Sequence, residues 1–250
     1  MPEDARTLRD AYVRIDQARR DMEILHAEVS LAAKQTVQGM VNGWSDRDNT
    51  FHLQLPPADS EAPDRVKLAC GRVVEELRSA LDYGMMGASK AANPGMNERE
   101  LRQVSFVIAR DKKGFDDTAK RGLAQIDQKL RDFIERLQPY NGNQVLEFIS
   151  DESSVSKHRN LLQVKPGGSM EVVLREDKAR GEWERSDWWV FPAGRGHIYT
   201  ARIPAIRLVI QDTRDVLEVL PICIDHTEVI IDTLERYLQD GTLIWPFPTN

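Results

Sequence analysis

The stretch LRDAYVRIDQARRDMEILHAEVSLAA, residues 8–33, decides how the chain is read. Leu8, Ile15, Met22 and Val29 recur every seven residues, and Ala11, Ala18, Leu25 and Ala32 follow them by three. Spacings of three and four place side chains on one face of an α-helix, so this is one long bundle-forming helix. No glycine or proline interrupts it before Gly39, and the alanines of the second seam permit close approach of a neighbouring helix. A sustained heptad of this kind also predicts a homodimer.

Working outward, Val37–Val41 and Phe51–Leu55 flank the polar stretch Asn42–Thr50, and Phe51, Leu53 and Leu55 alternate with His52 and Gln54. That pattern predicts a β-hairpin over about 36–56, ended by Pro56 and Pro57. A second long helix is expected over 63–88, started by Pro63 and buried through Val66, Cys70, Val73, Leu77, Leu81 and Met85. Val104–Ile108 reads as a short extended piece. Asp116 reads as the N-cap of a helix carrying Leu123, Ile126, Leu130, Phe133 and Leu137 and stopped by Pro139; residues 144–154 predict another short helix.

Beyond Arg159 short apolar stretches alternate with turn residues, as in Glu171–Leu174, Trp183–Phe191 and Arg207–Ile210, which predicts an antiparallel sheet over 160–212. A helix over 220–240, with Val229, Ile230, Leu234 and Tyr237 on its apolar face, would return to the bundle. The expected class is α+β: an antiparallel helical bundle over 1–159 with a β-hairpin insertion, then an antiparallel sheet, then a closing helix, all in one domain spanning 1–250.

The hydrophobic share of 41% and charged share of 30% exclude a disordered or membrane-embedded class. The first thirty residues carry charges throughout, without the apolar core of a signal peptide, so a cytoplasmic setting is expected. Cys70 and Cys223 lie far apart in apolar stretches, which suits buried, reduced thiols. A net charge of −6 argues against broad adhesion to nucleic acid but leaves room for a local basic groove. His26, His52, His158, His197 and His226 are scattered without ligand spacing, and there is no phosphate-binding glycine loop, so neither a metal nor a cofactor is expected.

Two concentrations of charge remain. Glu75, Arg78 and Asp82 recur at helical spacing beside the apolar stripe of the second helix, where an arginine among carboxylates is held by real hydrogen bonds or by a ligand anion. Such a ladder is also an ordinary surface ion-pair row. Lys157, His158 and Arg159 stand where helix gives way to strand and could meet an anion together, with His158 the candidate general acid or base. Positive charge at a helix C-terminus, favoured by the backbone dipole, accounts for the triplet equally well. Trp183, Trp188, Trp189 and Phe191 among Arg180, Arg185 and Arg195 could stack bases, though sheet core is the plainer account.

The run Leu77-Arg78-Ser79-Ala80-Leu81-Asp82-Tyr83, with Pro56-Pro57, Gln138-Pro139-Tyr140 and Lys157-His158-Arg159 in that order, resembles a family of uncharacterised bacterial and phage proteins, mostly actinobacterial, over roughly residues 8 to 165. In that family the helix reads Leu-Arg-Ser-Ala-Leu-Asp-His and the later motif Asp-Lys-His-Arg. Here Tyr83 stands for the histidine and Ser156 for the aspartate. The resemblance implies no reaction. A weaker likeness runs to the HEPN helical bundles, many of them metal-independent ribonucleases with an arginine, four residues and a histidine; Tyr83 fills the histidine slot. On that likeness His158 would move the proton, Arg78 and Arg159 would stabilise phosphate charge, and Asp82 would orient one of them, with Glu75, Tyr83 and Lys157 as binding residues. The leading expectation is a protein that binds a partner or an anionic ligand near these residues, and the alternative is RNA cleavage or binding.

Overall fold

The computed structural model describes residues 7–45, 50–53, 64–158, 164–167, 170–177, 182–185, 200–203, 207–210 and 214–247, with side chains for 7–32, 64–154 and 215–247. The helices are α1 (Arg9–Met40), α2 (Asp64–Ala92), α3 (Glu98–Leu101), α4 (Lys112–Gly122), α5 (Gln128–Arg136), α6 (Gln144–His158) and α7 (Val216–Asp240). A short 3-10 turn, Pro139–Asn141, precedes α6 and ends at Gly142, whose φ of +95° is left-handed and favours glycine.

The chain divides into two compact units: 1–24, 68–162 and 218–250 form the first, and 25–67 with 163–217 the second. In the first, α1, α2 and α7 bury Leu8, Ala11, Ile15 and Ala18 with Val73, Leu77, Leu81, Met85, Ile230, Ile231 and Leu234. Close approach is made possible by small residues on α2. A Cβ at Gly87 would stand 2.5 Å from a Leu8 methyl, and one at Gly84 would collide with Ile231, so each glycine makes room for a neighbouring side chain.

Polar clasps fasten α1 to α7. The Glu235 carboxylate accepts from the backbone N–H of Thr7 (2.8 Å) and of Leu8 (2.7 Å), supplying from another helix the cap that the start of α1 lacks in its own sequence. Tyr12 donates to Asp232 at 2.6 Å, and Arg19 pairs with Glu228. These partners descend α7 as they ascend α1, so the two helices run antiparallel. In the second unit Leu25, Val29, Ala32, Val66 and Val216 are buried, and Arg65 pairs with Glu28 at 2.8 Å.

The α+β expectation is corrected: among the residues whose side chains are described the fold is all-α. Every core residue whose side chain is described comes from a helix or from the turns between helices. The single antiparallel sheet expected over 160–212 does not form among the described residues. Backbone pairing there falls into two separate three-stranded antiparallel sets, β3 (Val164–Gly167) with β7 (Arg207–Ile210) and β8 (Arg214–Asp215), and β4 (Met170–Asp177) with β5 (Glu182–Arg185) and β6 (Thr200–Ile203).

Smaller corrections follow the same logic. The expected first hairpin limb, Val37–Val41, is helical through Met40, and backbone pairing joins β1 (Val41–Ser45) to β2 (Thr50–Leu53). The helix expected to start at Asp116 is two helices, α4 capped by Asp111, which accepts from Gly114 N at 2.7 Å, and α5 capped by Asp127, which accepts from Leu130 N at 2.9 Å. Each aspartate satisfies one otherwise orphaned N–H, which is why the helices begin there. Pro56, Pro57 and the Trp183-to-Phe191 aromatics, Trp183 and Arg185 backbone apart, lie outside the described residues.

The heptad seam that suggested a homodimer is consumed inside the chain. Leu8, Ala11, Ile15, Ala18, Met22, Leu25, Val29 and Ala32 are all buried in a single copy, so the seam gives no argument for a second one. No helix among the described residues is long and apolar enough to cross a membrane. Cys70 and Cys223 are both buried, neither in a disulfide, and burial pushes the Cys70 thiol up to about 12. That thiol is a packing group, not a nucleophile.

Candidate functional site

Arg78 and Asp82 stand one helical turn apart on α2, and the structure brings them together with a third element. Arg78 Nη2 donates to Asp82 Oδ1 at 3.0 Å and to the carbonyl of Phe106 at 2.8 Å. Asp82 Oδ1 accepts in turn from the Phe106 N–H at 2.9 Å. Both backbone groups of one residue are thus gripped by one ion pair. Phe106 sits between α3 and α4 in a segment without regular secondary structure, its ring fully buried.

The opposite edge of the same segment is gripped by Gln138. Its Nε2 donates to the carbonyls of Val107 and of Ile134, both at 2.8 Å, and its Oε1 accepts from the Ala109 N–H at 2.7 Å. Gln138 is 0% exposed, and these three bonds satisfy the amide where water cannot reach it. The direction of the bonds alternates along the segment, Phe106 to one side and Val107 and Ala109 to the other. That alternation belongs to a β-strand. Here the neighbouring strands have been replaced by the side chains of Arg78, Asp82 and Gln138.

Tyr83, which fills the slot of the HEPN histidine, turns toward α1. The Arg14 guanidinium lies 5.2 Å from its ring centroid and makes a salt bridge of 3.1 Å with Glu76. Hydrogen bonding to Tyr83 first, and to Glu76 second, favours the charged form of Arg14. Glu75 is half-buried on α2. Lys157 and His158 close the backbone of α6, but their side chains, and Arg159 altogether, lie outside the described residues.

Of the residues singled out in the sequence, the structure therefore joins Arg78 to Asp82 and assigns Tyr83 to a different neighbour. In the sequence Gln138 stands out only as part of the Gln138-Pro139-Tyr140 triplet. The available signal was a polar residue immediately after the buried stripe of α5 and immediately before a proline. Among the described residues no group of three or more histidine, cysteine, aspartate or glutamate side chains is placed to hold a metal ion. Compared with family models, with curated proteins and with solved structures, the chain matches none.

Proposed function

We propose that this chain is a binding module that engages a partner or an anionic ligand through the triplet Lys157-His158-Arg159, whose first two residues end the backbone of α6, while Arg78 and Asp82 hold its scaffold. The observation that supports it is the pair of hydrogen bonds from Arg78 Nη2 to Asp82 and to the Phe106 carbonyl, with the Phe106 N–H donated to Asp82, which commits Arg78 to the scaffold and leaves the 157–159 triplet as the other cationic cluster of the sequence. A guanidinium arranged to meet a transition-state phosphate presents its donors to that phosphate; this one spends a nitrogen on its own backbone. With Tyr83 in place of the motif histidine, the α2 helix also lacks the imidazole that an HEPN ribonuclease uses.

Fluorescence anisotropy with a labelled single-stranded RNA, and competition by inorganic phosphate, test the assignment. Lys157→Ala with Arg159→Ala is expected to weaken RNA or phosphate binding at least tenfold at unchanged melting temperature. Arg78→Ala is expected to lower the melting temperature and leave the affinity of the folded fraction unchanged. Metal-independent cleavage of the RNA, lost in both Arg78→Ala and His158→Ala, would replace this reading with the nuclease one.

A further inference from the structure

We draw no further inference here: the strongest candidate, the outward face of α1 where Val13, Ile24 and Leu31 stand exposed on one side of the helix, is an unpartnered apolar face, and nothing in the structure shows what covers it.

Discussion

Residues 104–109 and residues 241–247 are both stretches without helix or strand, both carry aromatic residues inward, and they are held by opposite means. The first is gripped by directional bonds: Phe106 through both backbone groups by Arg78 and Asp82, Val107 and Ala109 by Gln138. The second is held by Trp245 and Phe247 lying on Phe133, Arg136 and His226. Buried backbone must find partners, and where no strand is available side chains supply them at fixed geometry. Ring contacts tolerate sliding and opening. Irregular backbone is therefore rigid or releasable according to which kind of contact meets it.

The strongest way to break the contrast is at Gln138. Replacing it by leucine keeps the volume but leaves the Val107 carbonyl and the Ala109 N–H unsatisfied in a buried place, an expected loss of about 3 kcal/mol in urea unfolding. An unchanged midpoint would mean the segment is not held by that amide. Asp82→Ala removes the acceptor of the Phe106 N–H and the partner of Arg78. With the Asp82 side chain 30% exposed, the expected loss is smaller, about 1 to 2 kcal/mol. Hydrogen exchange at the Phe106 amide should rise with it, and continued protection of that amide would count against the brace.

Trp245→Ala sharpens the comparison from the other side. Loss of the Phe133 and Arg136 contacts should cost about 1 to 2 kcal/mol of global stability. Solvent accessibility of Phe133 and His226, read by NMR line broadening with a soluble paramagnet, should rise well beyond that of Phe106. A cooperative loss comparable with Gln138→Leu would show that the two segments are locked alike.

A further test is a tilt with pH. Burial drives the His226 imidazole down to about 4 from an ordinary 6.5. A depressed folded value means that the stabilising contribution is complete above 6.5 and is lost as pH falls toward 4, because the unfolded chain takes up the proton first. Urea midpoints measured at pH 7 and pH 5 should differ in the unaltered chain and differ less in His226→Gln. Equal slopes in the two proteins would place the imidazole in solvent and remove the stack on Phe247.

Helix positions were legible to the extent that they depend on one element at a time. The stripes of α1 and α2 declared themselves because burial imposes a helical period on the sequence itself, and the residues named there, from Leu8 to Ala32 and from Val66 to Met85, are the buried ones. The cap expected at Asp116 is wrong because four aspartates, Asp111, Asp116, Asp117 and Asp127, stand within seventeen residues, and only the local fold selects Asp111 and Asp127 as caps. The β expectation failed for a related reason: alternation of apolar and polar residues describes a surface that a strand could bury, not the presence of anything to bury it against.

By itself, then, the order of residues determined that α1 and α2 would be long and amphipathic and that Arg78 and Asp82 would share one helix face, since a period of 3.6 residues leaves no other arrangement. Tertiary structure alone decided what that face meets. The partner of Arg78 is a backbone 28 positions away, that of Leu8 a carboxylate 227 positions away, and that of Phe247 an imidazole on the preceding helix. Such partners are chosen by the packing of whole helices, through contacts that leave no periodic mark on either sequence segment.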